Sequence, residues 1–340
     1  MGECVVVHLG DAEWMVVDSC VQTGSKSPVA TEYLKQLGVS VADSVSTVVA
    51  THWHDDHVKG ISTLLEEASK ARFYAAGAFR QDEFLAMSQR THLISKFSSG
   101  VQELSTVRQI VTQRRKVGGG ALEQVSAVQR ISCDPSRAVS EIWALSPSAE
   151  DKERGIEHIA SLIEIQRGKA SRIPSLPPND VSVVLHLETA AGAIILGGDL
   201  EHHRSTRARG WHAVLDHQGR PTSRATFYKI PHHGSENAHC PEIWQHLLAD
   251  HPVCVMTPFE RGKTPLPRES DVIRLRENLD RVFITSDRRY ASARRNANVD
   301  KAIRSGTRSF RPNTLKMGHI QARVVNGSWD VRGNEASAMY

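Results

Sequence analysis

The chain has 340 residues, 40% hydrophobic and 24% charged, with a formal net charge of +4. No apolar run approaches the roughly 20 residues that span a bilayer. The five cysteines are scattered without a CxxC pair, which excludes a disulfide scaffold and reads as reduced thiols. A globular cytoplasmic protein with a sizeable core is expected, and the mild basic balance permits a polyanionic substrate without requiring one.

The N-terminus opens on "CVVVHLG" and "EWMVVDSC", a hairpin with Gly10 and Asp11 at its turn, not a basic segment followed by an apolar one. In "SPVATEYLKQLGV", Val29, Tyr33, Leu34 and Leu37 recur at helical spacing and Gly38 is placed to end the helix. "SVSTVVATH" is apolar on both faces and predicts a central strand; "GISTLLEEASKA" predicts the next helix. Residues 80–170 carry helical periodicity in "RQDEFLAMSQRTHLISKF", "QELSTVRQIVTQRRKV" and "AEDKERGIEHIASLIEIQRG", broken by one short strand, "EIWALSPS". This segment reads as a long helical insertion, a lid or a docking element for a protein partner. A proline-rich connector, "SRIPSLPPND", leads into strands "VSVVLHLE", "AIILGGDLE" and "ATFYKIPHHGS". "PEIWQHLLADH" and "ESDVIRLRENL" predict helices, and "VCVMTPF" and "RVFITS" strands. Residues 288–340 hold a basic segment and then a hairpin turning at Asn326-Gly327. The whole reads as one α/β domain over 1–340.

The chemistry sits where strands end. "THWHDDHVKG" places His52, His54, Asp56 and His57 directly after an apolar strand, where a turn residue is usual. Imidazoles two residues apart address one point and the following Asp-His pair a second; such donors suit Zn, Fe or Mn. Asp199 ends another strand after two glycines, where its carboxylate can bridge two metals. His232 and His233 end a third strand, and either is a ligand while the other serves the substrate or a neighbouring ligand. Asp18, at the end of the second strand, is positioned to accept the outer N–H of a ligand histidine. Lys229 and Ser235 flank the His pair as phosphate contacts. From 288 to 311 the chain carries eight Lys or Arg with Tyr290 and Phe310 between them, a pattern that tracks a nucleic-acid backbone and stacks bases, or a solvated basic surface.

"THWHDDH" with "GGDLE" and "PHHGS" resembles the metallo-β-lactamase fold superfamily, and most of all its ComEC-type branch, the hydrolase domain of competence proteins and its stand-alone relatives, some of which resemble components of antiphage defence operons. The resemblance covers residues 3–66 and 175–260. It implies a four-layer αβ/βα sandwich with a dinuclear Zn²⁺ or Mn²⁺ site built from His52, His54, Asp56, His57, Asp199 and His232 or His233, with Asp56, Asp199 and His233 in the catalytic roles. It also implies that Asn179 and Ser182, in "PPNDVSVVLHLE", contact substrate. Two departures stand out. Many members have a further ligand His before the bridging Asp, where this chain reads "NDVS"; Asn179, Asp180 or water would complete the first site. A His-Pro dipeptide usual near "RGKTPLP" is Thr264-Pro265 here. The expected activity is hydrolysis of a phosphodiester, in nucleic acid by preference, through a metal-bridging hydroxide. A small-molecule phosphoester or thioester hydrolase is the alternative, as is an effector subunit active only within a complex.

Overall fold

In the computed structural model, residues 2–22, 24–77, 99–117, 122–166, 178–260, 264–279, 281–287, 297–307 and 317–339 are described. The expected helix over 80–97, the connector over 171–177, and Tyr290 and Phe310 within the basic run lie outside them.

Two sheets form the frame. The first holds β1 (Val5–Gly10), β2 (Glu13–Val17), β3 (Val45–Ala50), β4 (Arg72–Ala76) and β5 (Leu122–Val125) in chain order. β1 and β2 are antiparallel; from β2 to β5 every pairing is parallel. The second runs β6 (Gln129–Cys133), β7 (Val139–Ala144), β8 (Leu185–Thr189), β9 (Ala193–Leu196), β10 (Ala225–Lys229), β11 (Leu248–Met256) and β12 (Val282–Ile284). β9 through β12 are parallel, and the short strand β15 (Ala338–Met339) closes that edge antiparallel to β12. Between them in sequence, β13 (Ile320–Val325) and β14 (Ser328–Gly333) form a separate hairpin. Asn326 and Gly327 both have positive φ there, as a type I′ turn demands.

Helices cover the outer faces. α1 (Val29–Gln36), α2 (Val41–Ser44), α4 (Ile61–Glu67) and α5 (Ser99–Lys116) pack on the first sheet; α3 (Asp55–Val58) is one turn between β3 and α4. Leu34, Ile61, Leu64 and Leu65 meet Val48, Val49 and Phe73 in a core that continues to Ile142, Leu185 and Leu187 of the second sheet. The second sheet's other face buries Ile195, Tyr228 and Cys254 against Trp211, Val214, Ile243 and Leu275. The last four come from α7 (Gly210–Asp216), α8 (Glu242–His246) and α9 (Glu269–Arg276). This is a mixed αβ/βα sandwich. α6 (Ala149–Gln166) and α10 (Ala297–Gly306) complete the described helices.

Three expectations change. Residues 80–170 are not helical almost throughout: β5 extends the first sheet, and β6 and β7 form an edge of the second. β7 is the strand expected there; β5 and β6 are short and half-exposed, with too little apolar alternation to mark them as strands. "PEIWQHLLADH" is helical only to His246; Leu248 already pairs with Ala225, and His251 has a positive φ inside β11. The first hairpin turns at Asp11 and Ala12, both left-handed, one residue beyond the expected pair. No helix among the described residues is long and apolar enough to cross a membrane.

Candidate metal centre

The ends of β2, β3, β9 and β10 meet at one edge of the sandwich. β3 delivers "THWH" as extended backbone, and His54 stands before the turn of α3. His52, His54 and Asp199 form one donor group, and Asp56, His57 and His233 another; within each, the candidate ligand atoms lie within 4.8 Å of one another. Asp199 stands between the two: Oδ1 is 3.3 Å from His57 Nε2, while Oδ2 is 3.8 Å from both His52 Nε2 and His233 Nε2. Asp56 Oδ2 is 3.1 Å from His233 Nε2.

Each buried ring has its outer nitrogen committed. His57 Nδ1 donates to Asp18 Oδ2 at 2.7 Å, and His233 Nδ1 to the Thr257 carbonyl at 2.9 Å. Asp18 also accepts the Thr51 amide at 2.7 Å and the Thr51 hydroxyl at 2.8 Å; that hydroxyl is 3.0 Å from His52 Nδ1. An outer N–H leaves Nε2 as a lone pair facing inward, the tautomer a metal requires. Phe259 stacks on the His233 ring at 5.1 Å and fixes its plane.

Two glycines and a serine set Asp199. Gly198 has φ +52, and a Cβ there would meet Ser182 Oγ at 2.5 Å. That same oxygen accepts the Asp199 amide at 2.9 Å. Ser182 is fully buried and positions the carboxylate instead of touching substrate.

The electrostatics call for positive charge. Burial opposes protonation of His57, yet Asp199, Asp18 and Asp56 raise its pKa well above the ordinary value. For Asp199 and Asp56 burial works upward, but His57 and His233 hold both below the usual carboxylate range. Burial pushes His52 well down and His232 to about 4. The fit to divalent cations rests on two atoms: His57 Nε2 and Asp199 Oδ1 are buried with no hydrogen-bond partner among the described residues. Leaving such groups unpaired costs about 1–3 kcal/mol each, which a cation between them would recover.

The other expected site residues divide. His233 lies in the donor group; His232 stands at the rim, 3.5 Å from Glu201 and 3.3 Å from Asn179 Nδ2. Asn179 donates to Glu201 Oε1 at 2.9 Å. Asp180 is taken up by Arg209 and His203, so it is not free to complete the first site. Lys229 is not a phosphate contact: its buried Nζ lies between Glu3 Oε1, at 2.5 Å, and the Gly198 carbonyl, at 3.0 Å. Ser235 is buried behind the His pair, lining a narrow cavity with Trp244 and Leu275. Thr264 is exposed.

Three contributors went unseen in the sequence. Glu3 groups with His57 and Asp199 and is 3% exposed; its one signal is an acid just ahead of the apolar run of the first strand. Thr51 and Glu201 adjoin the motifs but have no ligand spacing of their own.

The two-sheet αβ/βα sandwich gathers His and Asp side chains at its strand ends in groups with the donor chemistry to hold divalent cations. Residues 1–109 match the model of the metallo-beta-lactamase superfamily. Among solved structures, the chain is similar to the MIM-2 metallo-β-lactamase, at 14% identity over 58% of this chain and 55% of that one, with a TM-score of 0.31. It is also similar to a B3 metallo-β-lactamase with an active-site glutamic acid, at 12% over 59% of each, with a TM-score of 0.30. Zn²⁺-bound PqqB from Methylobacterium extorquens matches at 11% over 67% of this chain and 56% of that one, with a TM-score of 0.33. The chain thus spans between 55% and 59% of the length of these proteins. Likenesses at these identities say nothing of its substrate. No curated protein matches it.

Proposed function

We propose that the chain is a metal-dependent phosphodiesterase acting on nucleic acid, a stand-alone relative of the ComEC-type hydrolase domain. The observation that carries this reading is the convergence of two three-donor groups around Asp199, with His57 facing its Oδ1 and His52 and His233 facing its Oδ2. In this reading His52, His54 and Asp199 hold one cation and Asp56, His57 and His233 a second. Divalent cations held there lower the pKa of water toward neutrality and offset charge developing on the attacked phosphate. With Asp56, Asp199 and Glu3 in reach and no further imidazole at 179–182, the donor set accommodates Mn²⁺ as well as Zn²⁺.

The chain's own groups do the rest. Asp18, Thr51 and the Thr257 carbonyl hold the three rings so that no rotation is needed during reaction. Glu201, whose pKa burial raises, adjoins His232 and Asn179 at the rim and is suited to protonate a departing oxygen from its carboxyl. After that transfer His232, neutral at pH 7, can pass a proton from solvent back to the Glu201 carboxylate, 3.5 Å from its ring nitrogen.

The basic run around α10 supports a polyanionic substrate. The burial of Lys229 removes one phosphate contact, which keeps a small-molecule phosphoester or thioester hydrolase as the second reading. A docking role for α5 has less support, because Leu104, Val107 and Val111 on its apolar face are buried in the core.

The purified chain with Mn²⁺ or Zn²⁺ is expected to cleave single- or double-stranded DNA, RNA or a chromogenic phosphodiester. Asp199→Asn should remove that activity together with bound metal. Cleavage of thioesters but no phosphodiester would shift the conclusion to the second reading.

A further inference from the structure

A second convergence of donors lies on the loop after Asp199, outside the centre just described. His202, His212 and Cys240 each offer a ligand atom, and the three atoms lie within 4.8 Å of one another. His212 and Cys240 are buried. His202 Nδ1 is 2.9 Å from the His239 carbonyl oxygen, and His212 Nδ1 is 3.2 Å from that of Thr206. A carbonyl only accepts, so each Nδ1 carries its ring's hydrogen. In neutral rings both Nε2 atoms are then lone pairs, yet they face each other at 3.2 Å. Two lone pairs so close repel unless a positive charge lies between them.

The neighbours identify that charge as a metal. Glu242 Oε1 is 3.2 Å from His212 Nε2, and Arg207 donates to both oxygens of that carboxylate, at 3.1 and 3.0 Å. A tetrahedral Zn²⁺ with bonds of about 2.0–2.1 Å sets adjacent nitrogen and oxygen ligands about 3.3–3.4 Å apart. Both 3.2 Å separations match that edge. Cys240 supplies the soft donor that a shared proton would not need.

We propose that His202, His212, Cys240 and Glu242 bind a structural Zn²⁺, distinct from the cations at Asp199. The site joins the loop after Asp199 to the segment leading into α8. That loop carries Glu201, at the rim of the metal centre, and Arg209, which pairs with Asp151 and Asp180. Zinc here therefore holds the wall of the hydrolytic site without taking part in its chemistry.

Cobalt substitution of the full chain tests this. The donors around Asp199 are all nitrogen and oxygen, so a thiolate-to-Co²⁺ charge-transfer band in the near ultraviolet reports the new site. The stripped protein titrated with Co²⁺ should develop that band. Asp199→Asn should keep it, Cys240→Ser should lose it, and Zn²⁺ should displace it. X-ray absorption of the wild-type zinc form needs no variant to fold and should read a sulfur scatterer at about 2.3 Å. A cobalt form without the band, a zinc form without sulfur, or a band that survives Cys240→Ser overturns the proposal and leaves a proton shared between the two rings.

Discussion

Asp199 and its neighbours are held by contacts that can be removed one at a time. Ser182→Ala takes away the acceptor of a buried amide, which should cost about 1–3 kcal/mol in urea unfolding. Asp18→Asn leaves the His57 ring without its carboxylate partner and weakens that of Thr51. Metal affinity should fall roughly 10- to 100-fold by competition with a chelator, while a protein in which Asp18 only serves the fold would lose stability and keep its affinity. Lys229→Met leaves Glu3 buried and unpaired, a loss of about 3–5 kcal/mol. Adding Glu3→Gln should restore much of it. If Lys229 touched phosphate, the single variant would instead raise KM at unchanged stability.

At the scale of elements, α5 belongs to the machinery that shapes the metal loop. The Gly100 amide donates to Asp55 Oδ1 at 2.6 Å, and a Cβ on Gly100 would come within 2.2 Å of the Trp53 carbonyl. Glu103 accepts the amide of Gly60 at 2.9 Å and the Ser62 hydroxyl at 2.6 Å. Gly100→Ala must displace either the helix or the turn that carries His54 and Asp56, so activity should fall by at least tenfold. Circular dichroism should stay close to wild type, since the change is local. The periodicity of "QELSTVRQIVTQRRKV" makes this helix legible. Nothing in those residues says that it closes on a turn more than 40 positions earlier, because the Gly100 contact is a backbone amide's and the partners of Glu103 leave no local mark.

Across the whole molecule, buried histidines tie stability to pH. Burial pushes His239 to about 4, against about 6.5 for an unfolded histidine. Between these values the unfolded chain binds the proton and the folded chain does not. The stability this ring contributes is therefore present above pH 6.5 and is lost as pH falls toward 4. In metal-free protein, the urea midpoint should drop between pH 7 and pH 5, and His239→Gln should flatten that drop. Removing metal at constant pH should lower Tm, because cations bound only by the folded chain stabilise it by mass action.

Apolar runs that stop at His, Asp or Gly-Gly-Asp locate the metal loops in the sequence itself, because a strand end carrying donors is a local pattern. Hence His52, His54, Asp56, His57 and Asp199 are readable as candidate donors without coordinates, as are most strands and helices. Which of His232 and His233 joins the donor group depends on the direction each side chain takes from left-handed backbone, and only the tertiary structure decides it. The same holds for Glu3, Lys229 and the His202–His212–Cys240 group. Their partners are distant in the chain, and burial, which no spacing encodes, turns Lys229 from a surface cation into the counter-charge of Glu3.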